Sequence, residues 1–87
     1  MNSLYELIYS KDALKFLEKL DGVNKARIIS SLERCRIRPE AHAKRLVSLP
    51  YFSLRAGKFR LILDLIRNEL RIYVIEIGHR KNIYKNL

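Results

Sequence analysis

Hydrophobic and polar positions change period three times along this chain, and each change marks an element. Leu4 to Tyr9 (LYELIY) is short, apolar and aromatic, which predicts a strand. Ser10 is placed to cap a helix, because Ala13, Leu14, Phe16, Leu17 and Leu20 then recur at helical spacing. Asp21-Gly22 breaks that helix. A second follows, with Ala26, Ile28, Ile29, Leu32 and Cys35 expected inward and Lys25, Arg27, Arg34 and Arg38 outward. It must end before Pro39, since the residue preceding a proline disfavours the helical region. Two helices joined by a tight turn predict an antiparallel helical hairpin.

From Glu40 to Leu49 the chain is polar and basic, a connection with room for one turn of structure. Pro50 precedes a predicted strand, Tyr51 to Arg55, in which Phe52 and Leu54 alternate with Tyr51, Ser53 and Arg55. Ala56-Gly57-Lys58 supplies a hairpin turn, with Gly57 free to take a positive φ. The next strand sets Phe59, Leu61, Leu63 and Leu65 against Arg60, Ile62, Asp64 and Ile66. A turn at Asn68 leads to a last strand over Leu70 to Ile77, which Gly78 is expected to stop. The pattern is α+β in the order β-α-α-β-β-β, a single domain over residues 1–87.

A strand period of two assigns the faces. Phe52, Leu54, Phe59, Leu61, Leu63 and Leu65 must bury against the helices. Arg55, Arg60 and Asp64 therefore point to the opposite face, which a helical hairpin on one side leaves open.

Composition agrees with one modest core: 87 residues, 48% hydrophobic. Charge changes the picture more. Lys+Arg 18 against Asp+Glu 9 gives a formal charge of +9, a field that attracts polyanions without specifying which. Arg34, Arg36, Arg38, Lys44, Arg45, Arg55, Lys58 and Arg60 crowd the middle of the chain, opposed there only by Glu40. A single cysteine, Cys35, excludes an internal disulfide and is expected to be a packed thiol. No apolar run approaches a membrane span and the N-terminus does not read as a signal peptide, so a cytoplasmic, non-membrane protein is expected.

The chemistry these residues can support is narrow. His42, His79 and Cys35 lack the spacing of a metal centre, and only three glycines are present, too few for a glycine-rich phosphate loop. Neither metal nor cofactor is expected. What remains is phosphoryl chemistry of RNA, whose own 2′-hydroxyl can attack the neighbouring phosphate. A protein then supplies alignment, charge stabilisation and proton transfer. Arginine suits the second role, because its planar fork meets two phosphate oxygens. Arg60 and Arg80 are the candidate catalytic arginines, with Arg55 beside them. Tyr84, Tyr51, Lys81 and His79 are the neighbours able to move protons or stack on bases.

Three pieces of the chain carry a resemblance. They are Tyr9-Ser10-Lys11 leading into a helix with Ala13 and Leu17-Glu18-Lys19-Leu20; Leu54-Arg55-Ala56-Gly57-Lys58-Phe59-Arg60-Leu61; and Gly78-His79-Arg80-Lys81-Asn82-Ile83-Tyr84. In this order they resemble the RelE type of the RelE/ParE toxin superfamily, across nearly the whole chain. The resemblance implies a largely antiparallel four-stranded sheet, the first strand beside the last, with the N-terminal helical hairpin packed on one face. It implies a ribosome-dependent, metal-independent endoribonuclease that cuts mRNA in the A site of a 70S-type ribosome. By the same comparison Arg60, Arg80 and Tyr84 are expected to be catalytic. Arg55, Lys58, His79, Lys81, Lys44, Arg45 and Tyr51 are expected to contact RNA. A RelB-like antitoxin is the implied partner, in a heterodimer or heterotetramer.

The pattern departs at Tyr51 and Ser53, where RelE toxins carry lysines on the exposed side of the strand. Lys58, Lys81, His79 or Tyr84 is left to substitute. Two other readings stand beside the nuclease: a ParE-like protein that poisons DNA gyrase by binding alone, and a basic ribosome- or RNA-binding module without catalysis.

Overall fold

The computed structural model describes residues 4–80. Strand β1, Glu6–Tyr9, is followed by helices α1, Lys11–Glu18, and α2, Gly22–Ile37, and by a single helical turn, α3, Pro39–His42. Strands β2, Lys44–Arg45, β3, Phe52–Ala56, and β4, Phe59–Ile66, come next. A 3-10 turn over Arg67–Glu69 leads to β5, Arg71–His79. The sheet order is β1-β5-β4-β3-β2, parallel between β1 and β5 and antiparallel elsewhere. The fold is α+β as expected, with five strands rather than four. The extra one, β2, has two residues, too few for an alternation to reveal.

Both expected helix starts are present. The Ser10 hydroxyl accepts from the Ala13 N–H at 3.0 Å, and Asp21 Oδ2 accepts from the Asn24 N–H at 3.1 Å. The Asn24 side-chain amide, which donates to Asp21 Oδ1, and then this backbone contact hold the Asp21 carboxyl below its ordinary pKa. Helix α2 ends one residue before Arg38, and Pro39 opens α3 at a position where its missing N–H costs nothing. Arg36 then ties α2 to the sheet edge: its Nε donates to the Tyr5 carbonyl at 2.8 Å, and Tyr5 N–H donates to the Arg36 carbonyl at 3.1 Å.

One face of the sheet buries against α1 and α2. Leu54, Ala56, Phe59, Leu61 and Leu63 meet Ala13, Leu17, Ile28, Leu32 and Cys35, with Phe52 and Leu65 half-buried at the margin. Two helix positions differ from expectation. Leu14 and Ala26 are exposed, and the buried stripe of α2 runs through Ser31 instead. Burial, then the Glu40 carboxylate, pushes the Cys35 thiol up to about 11, so this is a packed thiol and not a nucleophile.

The opposite face carries Ser53, Arg55, Arg60, Ile62 and Asp64, as alternation requires. Ile62 is nevertheless fully buried, at 0% exposure, although it lies outside the helix-side core. Its cross-strand neighbours are Ser53 and Glu76. The open face is thus not an even, solvated surface.

Strand β5 departs most from its reading. The pairing shifts between Ile62, opposite Glu76, and Leu63, opposite Val74, leaving Ile75 as the extra residue of a bulge. Core positions accordingly change phase, from Ile72 and Val74 to Ile77. Nor does Gly78 stop the strand: it pairs with Arg60, and His79 pairs with Phe59. The turn expected at Asn68 is the 3-10 turn Arg67–Glu69, and Leu70, at φ 54°, closes it in the left-handed region, so β5 begins at Arg71.

A candidate phosphate-binding site at the hairpin end of the sheet

The β3–β4 turn has two central residues, Gly57 and Lys58, with Gly57 at φ 61°, the first central position that favours glycine. A Cβ there would lie 2.8 Å from Cδ of Arg27, so α2 lays a further arginine over the turn. The tight turn fixes the register that follows. Arg55 stands directly opposite Arg60, and Gly78 stands on the other side of Arg60. Like charges directly opposed on a sheet destabilise it by roughly 0.2–1 kcal/mol. Among the described residues Arg55 has no carboxylate partner. Arg60 is half-buried, with its Nε shielded from solvent.

The bulge at Ile75 decides what joins them. By shifting the phase of β5 it sends Glu76 and Gly78 to the open face and Ile77 and His79 toward the helices. Arg80, next in that alternation, returns to the side of Arg60. Its N–H donates to the Lys58 carbonyl at 3.1 Å, so the turn also holds Arg80. The anchor is Ser10, whose hydroxyl donates to the Ile75 carbonyl at 2.6 Å while it caps α1. One side chain ties a helix start to the irregularity that aims the site.

Two clefts result, and Arg60 lines both. The larger, about 610 Å³, is lined by Lys58, Arg60, His79 and Arg80. The smaller, about 360 Å³, is lined by His42, Lys44, Ser53, Arg55 and Arg60. Among the described residues no carboxylate lines either one. His79 is exposed at the rim, its ring 5.1 Å from that of Phe59 and 6.3 Å from that of Phe16. Lys58 Nζ lies 5.6 Å from the Phe59 ring centroid. Three cationic side chains and an imidazole around an open cavity can hold a phosphate and spread its developing charge.

The structure thus brings Arg60, Arg80, Lys58 and His79 together, and Lys44 and Arg55 beside them. It does not bring in Arg45 or Tyr51. Arg45 pairs with Phe52, so it lies on the helix side, its guanidinium 6.0 Å from that ring. Tyr51 precedes β3, where its carbonyl accepts from the Leu46 N–H at 3.0 Å. Lys81 and Tyr84 lie outside the described residues. His42, which was not among the expected site residues, is exposed and lines the smaller cleft. The clue was Ala43, a buried residue (7% exposed) that pulls the basic connection against the core.

Comparison with known proteins identifies the family and the fold. The model of the family described as ParE toxin of type II toxin-antitoxin system, parDE, matches residues 7–84. A RelE-like toxin protein of Escherichia coli is 30% identical over 80 residues, which span 88% of this chain and 84% of that protein. A chain of the toxin-antitoxin complex RelBE2 from Mycobacterium tuberculosis superposes with a TM-score of 0.81 at 20% identity, covering 92% of this chain and 98% of that one, a likeness of fold. For the intact Escherichia coli RelBE complex the TM-score is 0.74 at 26% identity, with 86% and 95% covered. The isolated Escherichia coli RelE toxin gives 0.69 at 25%, with 94% and 93% covered.

Proposed function

The chain belongs to the ParE toxin family of type II toxin–antitoxin systems, within the RelE/ParE superfamily, and from that premise we propose that it cleaves messenger RNA on the ribosome. It is a toxin of the RelBE type, and its partner is a RelB-like antitoxin, as in the complexes it resembles. One observation supports the nuclease reading above all. Arg60, Arg80, Lys58 and His79 converge on a cavity that the helices leave open, and an arginine on one strand directly opposes an arginine on the next. Guanidinium groups so placed can meet the oxygens of one substrate phosphate.

In the proposed reaction the 2′-hydroxyl of one nucleotide attacks the phosphorus of the next phosphodiester. A new 2′-oxygen–phosphorus bond forms, the bond to the 5′-oxygen breaks, and the products are a 2′,3′-cyclic phosphate and a 5′-hydroxyl. The attacking hydroxyl loses a proton and the leaving oxygen gains one. Arg60 and Arg80 stabilise the additional negative charge on the pentacoordinate phosphorus. Lys58 and His79 line the same cavity, within reach of the exchanging protons. The ribosome supplies what so small a protein lacks, a message held in extended form. The reaction takes place in the cytoplasm, where ribosomes translate.

The match to the family model described for ParE favours a second reading, gyrase poisoning by binding alone. Primer extension on translated messages, beside an assay for DNA breaks with purified gyrase, separates the two. Cuts within ribosome-bound codons, with DNA intact, are expected. DNA breaks with uncut message would replace this proposal with the second.

A further inference from the structure

We propose that Arg27, an exposed arginine of α2 that lines neither cleft, is a positioning residue: it holds the Gly57–Lys58 turn and, through it, Lys58 and Arg80. The inference rests on the RNA-cleaving reading of the larger cleft and adds to it a part that touches no substrate. Two of the four residues lining that cleft depend on this turn. Lys58 belongs to it, and Arg80 is tied to it by an N–H that donates to the Lys58 carbonyl at 3.1 Å. The flanking residues are fixed by the core, Ala56 at 2% and Phe59 at 1% exposure. Gly57 and Lys58 between them are exposed. Of this pair only Gly57 has a positive φ, the pattern of a type II′ turn.

What rests on the turn from the helix side is Arg27. A Cβ on Gly57 would lie 2.8 Å from Cδ of Arg27, 3.1 Å from its Nη1 and 3.7 Å from its Nε. Stem and guanidinium together therefore lie across the space that a side chain at position 57 would fill. Gly57 serves twice, for its backbone conformation and for the close approach of α2. Pairing does not account for where Arg27 lies, since among the described residues it has neither an ion pair nor a side-chain hydrogen bond. An arginine can cover a surface with its methylenes while its charge stays in water, which suits a clamp at an exposed turn. The clamp has a firm mount, because Ile28, the next residue of α2, is fully buried in the core.

The test uses the full chain and two readouts. Amide hydrogen exchange in the free protein should show the Arg80 N–H exchanging several-fold faster in Arg27→Ala. It should stay near wild type in Arg27→Met, which keeps an unbranched chain over Gly57 without the charge. Single-turnover cleavage on programmed ribosomes should fall several-fold in Arg27→Ala, with ribosome affinity and its salt dependence unchanged, and should recover in Arg27→Met. Lys15→Ala, which removes an exposed cation from α1, should alter neither readout. Wild-type Arg80 exchange in Arg27→Ala would overturn the proposal. So would an equal loss of ribosome affinity in Arg27→Ala and Arg27→Met, the mark of a charge that meets RNA directly. Failure of the nuclease reading looks different: the exchange pattern would hold while wild-type protein left ribosome-bound message uncut.

Discussion

Ser10→Ala removes a single oxygen that makes two contacts. The hydroxyl accepts from the Ala13 N–H at 3.0 Å as the cap of α1, and donates to the bulged Ile75 carbonyl at 2.6 Å. Loss of the cap costs about 1 kcal/mol. The half-buried carbonyl loses its donor, which adds roughly 1–2 kcal/mol. Together they amount to about 2–3 kcal/mol, a fall in Tm of about 10–20 °C for a domain of this size. Ser10→Thr keeps the hydroxyl and should lose far less. The functional consequence is separate: the bulge fixes the phase that returns Arg80 to Arg60, so the folded Ser10→Ala protein should also cut more slowly below its Tm. Urea denaturation followed by circular dichroism, with cleavage measured at a temperature where both variants are folded, checks both parts. A loss as small in Ser10→Ala as in Ser10→Thr, with cleavage unchanged, would refute the claim that Ser10 anchors the site.

Arg55→Gln should stabilise the free protein by about 0.5 kcal/mol at low ionic strength, because it relieves the opposed pair with Arg60. That gain should vanish near 1 M salt, where charges are screened within about 3 Å, while RNA binding weakens; paired urea titrations at low and high salt read the first part. Cys35, its thiol raised to about 11 by burial and Glu40, should resist alkylation at pH 8 until the protein is unfolded, as mass spectrometry will show. The same shift has a sign for stability. Its contribution is complete below the ordinary thiol pKa and is lost as pH rises through about 11, since the unfolded chain ionises first.

How far the sequence carries depends on whether a feature has a period. Ser10, Asp21 and Pro39 announce the helix boundaries because capping and ring closure are local chemistry. The alternation over residues 59–66 places Arg60 and Asp64 correctly because β4 is the centre of a sheet covered on one face. Strand β2 cannot be seen this way, since two residues show no alternation, and with it went His42. Bulges defeat a period of two by construction. Counting from Ile72 and Val74 puts Arg80 on the helix side, and only the extra residue at Ile75 reverses that. Gly78 reads as a terminator in isolation, whereas the strand runs on through it, pairing Gly78 with Arg60 and His79 with Phe59. The parallel pairing of β1 with β5 joins chain ends, and no local pattern encodes it.

The central claim is that Arg60 acts on the reacting phosphate and is not simply part of the sheet. Single-turnover cleavage of message on programmed ribosomes, with wild type, Arg60→Lys and Arg60→Ala, tests it most directly. Unfolding midpoints and binding to the RelB-like antitoxin serve as controls for the fold. The account predicts a rate constant about 100- to 1000-fold lower for Arg60→Ala, an intermediate loss for Arg60→Lys, and controls at wild-type values. Cleavage by folded Arg60→Ala at the wild-type rate would contradict it.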